Sequence, residues 1–307
     1  MPLRNCARKN SAKIKKLWTG TRPSGMSANM KTLFSAKSLR TALLSALVLA
    51  ASQLSIHASL LSSGVNLGYA DHTPTDRWAV FTLGSGPTDV NVMSSGASIW
   101  GDTAFAGSGN SNLSGTGTIR GQAVSNSSGS MLKSSSFTVT GSILNNQNAN
   151  LAQGVSDAHS ASNSAFALSA STGYPTTINT NSSLTLNDTT ASHTVVLQLS
   201  DFILSGTGAL TLQGTAATTY IINVTNKFSL SGSSVVQLSG GLTADNVLFN
   251  VRGTGDVTMS SSSTLTGIIL ATDRTMKMSG SATVYGQVIA NKVSLAGVSS
   301  VRRPVSP

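Results

Sequence analysis

From about residue 59 onward, the chain consists of short runs in which apolar and polar residues alternate. Examples are "SFTVTGSIL", "SLTLND" and "TVVLQLSDFILSG", and glycine, serine or asparagine separates the runs. Alternation with a period of two places one set of side chains on a buried face and the other in solvent, as in a half-buried β-strand. The pattern predicts a mainly β protein made of short strands joined by tight turns.

One segment departs from this pattern, and its apolar residues are spaced by three or four positions, as on one stripe of a helix. These residues are Leu151, Val155, Ala158, Ala161, Ala165 and Leu168. The stripe is narrow and rich in alanine, so we expect a helix over residues 151–170 to lie close against a flat surface. Gly173 and Pro175 supply the residue types that end helices.

The C-terminal half repeats a motif of the form apolar–x–apolar, followed by a small residue and usually glycine. The copies begin at Phe202, Phe228, Val257, Met276 and Val293, at intervals of 26, 29, 19 and 17 residues. A period near 20 residues is typical of a β-solenoid, in which each coil adds one strand to each face and the inward side chains stack. A β-sandwich, the alternative, predicts hairpin turns roughly every 8–12 residues, and the sequence contains no Asn-Gly or Asp-Gly pair.

The last two copies of the motif lead to specific expectations, because the motif's alternation and its glycines have separate roles. The inward side chains would be Met276, Met278, Val293 and Leu295, and the corners would be Gly280 and Gly297, where positive φ or the absence of a Cβ atom is needed. We expect these two copies to form successive coils near the end of the solenoid. We expect "WAVFTLG" (residues 78–84) and the proline-containing tail to cap the exposed ends.

The formal net charge of +10 is confined to the start of the chain. Residues 1–40 hold ten Lys or Arg and no acidic residue, whereas the remainder holds ten basic residues against ten Asp, with no Glu, and so has no net charge. A face that neutralises several phosphates is therefore not expected, and nucleic acid is not a predicted partner. With 10% charged and 5% aromatic residues, the composition is not that of an ordinary helical enzyme.

The basic start continues into the features of a secretory signal. Basic residues after Met30 precede an apolar run, Ala42 to Ala51, and small residues follow near Ala58. The run is about half of the roughly 20 residues that span a bilayer. A cleaved signal is therefore favoured over an uncleaved membrane anchor.

Two segments follow from this interpretation. Residues 1–58 would be a basic leader and secretory signal peptide, with translation starting as written or at Met26 or Met30. Residues 59–307 would form a single β-solenoid domain that contains the helix. We expect this mature form to have no membrane span and to be secreted or held at the cell surface.

Four segments of the C-terminal half carry a resemblance to a known family. They are "YIINV" (220–224), "NVLFNV" (246–251), "GIILA" (267–271) and "GSATVYGQVIA" (280–290). In these segments the chain resembles the bacterial ice-binding-like family and the related choice-of-anchor surface proteins, and a weaker likeness extends over roughly residues 78–300. The resemblance implies an irregular right-handed β-solenoid, or β-helix, of triangular section with one long α-helix packed along its side.

Candidate reactive groups are few and far apart. The histidines outside the leader are His72, His159 and His193, with no spacing typical of a metal site. On the predicted helix, His159 is two residues from Asp157, so the two side chains do not face each other. The single cysteine, Cys6, lies in the leader, and neither a nucleophile elbow nor a phosphate-binding loop is present. We therefore predict no catalytic, cofactor-binding or metal-binding residue, and no cofactor.

One enzymatic alternative stays open, a polysaccharide-active β-helix lyase or hydrolase whose carboxylates converge across stacked coils. The aspartates occur singly along the chain, at Asp71, Asp76, Asp89, Asp102, Asp157, Asp188, Asp201, Asp245, Asp256 and Asp273. Such an enzyme would gather Asp, Lys and Arg in one groove, whereas a binding protein would not.

Ser, Thr and Asn are abundant at outward strand positions, as in "SLTLND" and "SATVYG". Stacked strands about 4.8 Å apart would arrange them as a flat, uncharged grid, although solvent-facing strands favour such residues without any binding role. With the resemblance, the grid predicts an exported, non-enzymatic protein. Its partner would be an ice surface, through antifreeze activity or recrystallisation inhibition, or an extracellular polysaccharide or matrix polymer, through adhesion. The sequence nominates no individual ligand-binding residue.

Overall fold

A computed structural model of the chain describes residues 65–71, 78–84, 89–126, 130–188, 190 and 193–303. All of them belong to one compact unit, Leu54–Pro307. The predicted leader and signal peptide at 1–58, His72, Asp76 and the proline-containing tail lie outside the described residues.

The described part of the chain is mainly β, with one α-helix, α1 (Asn148–Ala167), and two single-turn 3-10 helices, Gly68–Ala70 and Ala244–Asn246. In chain order the strands are β1 (Trp78–Thr82), β2 (Asp89–Met93), β3 (Ser98–Trp100), β4 (Asp102–Phe105), β5 (Asn110–Leu113), β6 (Thr118–Arg120), β7 (Ala123–Ser125), β8 (Met131–Lys133), β9 (Thr138–Val139), β10 (Ile143–Leu144), β11 (Ile178–Thr180), β12 (Ser183–Asn187), β13 (Thr194–Leu199), β14 (Phe202–Leu204), β15 (Ala209–Gln213), β16 (Thr219–Val224), β17 (Phe228–Leu230), β18 (Val235–Ser239), β19 (Val247–Val251), β20 (Val257–Met259), β21 (Thr264–Met278), β22 (Thr283–Leu295) and β23 (Ser300–Arg302).

These strands stack in parallel into three faces, one strand of each coil on each face, so the protein is a β-solenoid of triangular section. The helix face runs β13, β16, β19, the middle of β21 and of β22, β1, β4, β7 and β10. The narrow face runs β11, β14, β17, β20, the ends of β21 and β22, β2, β5 and β8. The broad face runs β12, β15, β18, the starts of β21 and β22, β23, β3, β6 and β9.

The coils do not follow one another in space in the order of the chain. Strand β1 pairs with both β22 and β4, and β23 pairs with β3, so the first described coils stack on the last ones. The first described strand, β1, lies in the middle of the solenoid, and the following coils reach one end at β8–β10. The chain then returns through α1 to the opposite end at β11 and coils back to the middle.

This order corrects two predictions about the ends of the solenoid. Residues 78–84 do not cap an end, because β1 lies between two paired strands. The motif copies at Met276 and Val293 are successive coils, but they lie between β20 and β2 rather than near an end. The repeat shows that coils stack, and it carries no signal for the first coils stacking on the last.

The internal arrangement of those two copies is as predicted. Met276, Met278, Val293 and Leu295 are buried in the solenoid core. Gly280 and Gly297 turn the corner between the narrow and broad faces at φ +67° and +70°. A positive φ suits glycine because it has no Cβ atom to clash with the backbone.

Helix α1 covers the helix face, as its alanine stripe predicts. Ala158, Ala161 and Ala165 are buried against strands of that face. A Cβ atom on Gly154 would lie only 2.6 Å from Cζ of Phe81, so glycine is what lets the helix approach β1 this closely.

The bounds of α1, Asn148 to Ala167, are shifted from the predicted 151–170. At its end, Gln198 Nε2 donates a hydrogen bond to the carbonyl oxygen of Leu168, and the Ser171 N–H bonds to the Val196 carbonyl. Contacts with β13 therefore draw the chain into an extended conformation before Gly173 is reached. No helix in the described part of the chain is long and apolar enough to cross a membrane.

Candidate functional site

The histidine and aspartate of α1 lie in different surroundings. His159 is exposed on the outer side of the helix. Asp157 instead accepts hydrogen bonds from the Tyr69 backbone N–H and from Gln153 Nε2, each at 2.7 Å. The carboxylate thereby fastens the helix to the 3-10 turn at Gly68–Ala70.

His193 and Asp188 form a pair at the end of the solenoid where β12 leads into β13. His193 Nδ1 contacts Asp188 Oδ2, and the Thr190 N–H donates to Asp188 Oδ1 at 2.8 Å. Burial alone would raise the pKa of Asp188, but these hydrogen bonds outweigh it and lower that pKa. Sequence inspection did not single out this pair, because the two residues meet only when the chain turns between two faces.

Tyrosines lie close to the same carboxylate. Burial, together with the charge of Asp188, raises the pKa of Tyr174. Tyr220 donates its hydroxyl to the carbonyl oxygens of Leu186 and Gln213, and burial raises its pKa strongly. These phenols stay protonated at neutral pH, so the cluster acts as a hydrogen-bonded closure of the terminal coils.

One further set of acids and a base converges, at the centre of the molecule. Nη2 of Arg303 lies 3.1 Å from Asp71 and 3.2 Å from Asp245, so three distant stretches of the chain meet at one guanidinium. The side chains of Arg303 and Asp71 are only 7% and 6% exposed. Asp245 is 44% exposed, so the cluster joins the three stretches of chain around a buried arginine and leaves one carboxylate at the surface.

The described residues contain no group of three or more His, Cys, Asp or Glu that could hold a metal ion. A cavity of about 410 Å³ lies at the end of the solenoid formed by β8 and β10. Its lining consists of Asn126, Ser130, Met131, Lys133, Ile143, Asn145 and Asn146. That lining supplies amides and aliphatic carbon, but no carboxylate or imidazole for acid–base chemistry.

The narrow face has one outward side chain per strand and is bordered by charge. Lys277 projects from this face and pairs with Asp256 at 2.7 Å. Along the same edge, Asp201 accepts hydrogen bonds from Asn226 Nδ2 and from the Lys227 backbone N–H. These charges interrupt the row of small polar residues.

The broad face is wider, and its outward residues form two rows in register across the coils. The first row is Ser183, Ala209, Val235, Thr264, Thr283, Ser300, Ser98, Thr118 and Thr138, of which Thr283 and Ser300 are buried. The second row is Thr185, Thr211, Gln237, Thr266, Tyr285, Arg302, Trp100 and Arg120.

These rows divide the broad face into two chemically different parts. The first part, called the uncharged grid, is formed by both rows on β12, β15, β18 and the start of β21. Gln237 Nε2 donates to Thr211 Oγ1 at 2.9 Å within it. The second part, called the arginine–aromatic ladder, consists of Tyr285, Arg302, Trp100 and Arg120 on four successive coils.

Comparisons with known proteins agree with this architecture. Two solved structures of ice-binding proteins share the fold. One comes from the Antarctic ascomycete Antarctomyces psychrotrophicus, with 20% identity over 79% of this chain and 99% of that one, at a TM-score of 0.50. The other comes from an Antarctic Flavobacteriaceae bacterium, with 19% identity over 79% of this chain and 49% of that one, at a TM-score of 0.52. No curated protein matches the sequence.

A family model described as the ice-binding-like adhesive domain matches residues 58–301. The match extends over most of the chain and includes every strand from β1 to β22. The chain therefore belongs to the ice-binding-like adhesive domain family.

Proposed function

We propose that this protein is exported and binds ice, without catalysis, through the uncharged grid of the broad face. The observation that carries the proposal is the regularity of the grid. Strands β12, β15 and β18 pair residue for residue, with no register shift, and the starts of β21 and β22 continue the first row.

The chemistry of the grid suits a rigid, repeating, uncharged ligand. Coils about 4.8 Å apart present hydroxyl and methyl groups at a fixed interval, a repeat comparable to that of oxygen rows in ice. The threonine side chains have few rotamers, so their groups stay in position. A charged group keeps its own hydration shell and would interrupt such an array, which is why the narrow face with its Lys277–Asp256 pair is the weaker candidate.

A binding role rather than an enzymatic one is supported by how the aspartates are used. Asp157, Asp188, Asp201 and Asp256 each engage a specific partner in the fold, and Asp71 and Asp245 both pair with Arg303. Export is supported by the predicted signal at residues 1–58, and sequencing the N-terminus of the native product tests it. A second role, adhesion to an extracellular polymer, is favoured by the arginine–aromatic ladder.

The ice-binding proposal is tested with Thr211→Lys, which places a charge in the centre of the grid. The matched control is Thr258→Lys on the narrow face, the same substitution on another strand. We expect the full chain to inhibit ice recrystallisation and to show thermal hysteresis, Thr211→Lys to lose most of this activity, and the control to keep it. Thermal melts establish that both variants fold. An inactive parent protein, or equal loss in both variants, contradicts the proposal.

A further inference from the structure

The arginine–aromatic ladder differs from every other group of charged residues in the described part of the chain. Trp100 is 37% exposed, and its ring lies between two guanidinium groups. The Cζ atom of Arg120 is 3.8 Å from the ring centre, and that of Arg302 is 5.1 Å from a ring centre of the same indole. Because Arg302 and Arg120 come from the coils on either side of Trp100, they approach the indole from opposite sides.

Among the arginines of the described residues, the two in the ladder are the exposed ones. Arg274 is buried and donates to backbone carbonyls, Arg303 is clasped by two aspartates, and Arg252 bonds to Asn163 Oδ1. By contrast, no ion pair joins Arg120 or Arg302 to a carboxylate of the described residues. Asp102, the acid that follows Trp100 along the chain, accepts a hydrogen bond from the Gln122 backbone N–H beyond the corner.

We propose that the arginine–aromatic ladder binds a linear acidic polysaccharide in which alternate sugar units carry a carboxylate or a sulfate. The inference deepens the adhesive role under the proposed function and rests on it. Arg120 and Arg302 bind the anionic groups, Trp100 acts as a positioning residue that holds their planes, and Tyr285 contacts a sugar ring.

The spacing of the ladder favours this class of polymer. Arg120 and Arg302 lie two coils apart, a separation of about 10 Å at the usual strand spacing, which corresponds to every second unit of an extended sugar chain. Guanidinium groups bind carboxylate and sulfate oxygens in a two-point geometry, and stacking on an aromatic ring fixes the plane of the fork. Tyr285 is 41% exposed and continues the row, where its ring can pack against the apolar face of a sugar.

A nucleic acid fits the same surface less well. Its phosphates occur on every unit, and binding proteins follow them with a continuous basic groove. Here two cations alternate with aromatic rings, and the neighbouring row holds only Thr and Ser, at Thr283, Ser300, Ser98 and Thr118.

The experiment must separate the ladder from the ten basic residues at positions 1–40, which attract any polyanion. Arginine labelling with phenylglyoxal, read by mass spectrometry on the full chain, resolves each site. We expect hyaluronan, which carries a carboxylate on every second sugar, to slow the labelling of Arg120 and Arg302 at least threefold. Arg252 should be unaffected, and neutral dextran should protect none of the three.

Variants then assign the contribution of each part. Arg120→Gln should reduce the hyaluronan protection of Arg302 to less than twofold, whereas Lys227→Gln with Lys277→Gln removes two charges from the narrow face and its edge and should leave that protection unchanged. Trp100→Ala should speed the labelling of Arg120 even without polysaccharide, because the indole no longer shields the guanidinium group. Trp100→Phe, which keeps an aromatic ring, should restore the protection.

Three results would overturn the proposal: protection confined to residues 1–40, equal loss of Arg302 protection in the lysine control, or equal ladder protection by single-stranded oligo(dT). Failure of the polysaccharide proposal can be distinguished from failure of the ice-binding proposal. The Arg120→Gln variant should keep its activity in the ice assays, and Thr211→Lys should keep its labelling protection.

Discussion

The coils that follow α1 and the outer coils that precede it both place one strand on each of the three faces, yet the side chains in their interiors differ. After the helix, Phe202, Phe228 and Phe249 stack inside the solenoid with ring centres 5.0–5.8 Å apart. Before the helix, the outermost coil leaves the inward-facing Ile143 43% exposed. The position that follows the buried Leu113 is Lys133, which reaches the Phe137 carbonyl. The first region is a close-packed core, and the second is an end that frays more easily.

The surfaces of these two regions also differ, in their charge and in the pairing of their strands. The later coils carry the uncharged grid, and β12, β15 and β18 pair within it without register shifts. The earlier coils carry Trp100 and Arg120, and their pairings shift register near Trp78 and Asp89. In a solenoid each coil contacts only its neighbours, so stability and surface chemistry can vary along the stack. On the broad face the ladder strands pair without a register shift, so the ladder and the grid differ in side-chain chemistry rather than in strand pairing.

The largest expected effect is on the free energy of unfolding, when a buried phenylalanine is removed from each of the two interiors. Phe228→Ala should lower the free energy of unfolding by about 3–5 kcal/mol, because it leaves a cavity in a site that cannot collapse. Phe137→Ala, in the outermost coil, removes the same side chain where an open end can relax and should cost clearly less. Urea unfolding of both variants measures the difference. Equal losses would show that the outer coil is packed as firmly as the central ones.

A buried hydrogen-bond network under α1 provides the second test, because it joins the helix to the later coils only. Asn250 Nδ2 donates to the Ser162 carbonyl and to Asn223 Oδ1, and Ser162 Oγ donates to Asn250 Oδ1. Asn250→Ala leaves buried partners without hydrogen bonds, so we expect a loss of about 1–3 kcal/mol in unfolding free energy. Asn179→Ala on the narrow face, where the side chain is exposed, is the control and should have little effect.

Hydrogen exchange places the effect of Asn250→Ala within the molecule. Amides of α1 near Ser162 and of β19 should exchange faster, and amides of β4 and β7 should not. Uniform acceleration across both regions would mean that the helix joins them into one cooperative unit.

Alternation and the small-residue corners were enough to predict the solenoid, the helix and the inward positions of Met276 and Leu295, because these are local properties of the chain. The order of the coils was not predictable, since one apolar motif stacks equally well on any other. The arginine–aromatic ladder depends on that order, because Trp100 and Arg302 meet only when the first coils stack on the last. A surface assembled from distant parts of the chain therefore leaves no local motif.

The smallest expected effect concerns the end of the later coils, where Asp188 contacts His193. Because the folded state lowers the pKa of Asp188, the carboxylate stabilises the fold above the ordinary aspartate pKa of about 3.9, and this stabilisation is lost as the pH falls through the lowered pKa. Asp188→Asn should cost about 1 kcal/mol at pH 7, since an amide oxygen still accepts from Thr190. The gap between parent and variant in urea unfolding should narrow below about pH 4.

The matched variant for this measurement is Asp256→Asn, which removes a carboxylate paired with Lys277 on the exposed narrow face. An exposed ion pair contributes about 0–1 kcal/mol, so its loss should leave the pH dependence nearly unchanged. If the two variants respond to pH alike, the Asp188–His193 contact is a surface feature rather than the closure of the terminal coil. A response in Asp188→Asn alone shows that this end of the solenoid is closed by hydrogen bonds, whereas the opposite end leaves the inward-facing Ile143 partly exposed.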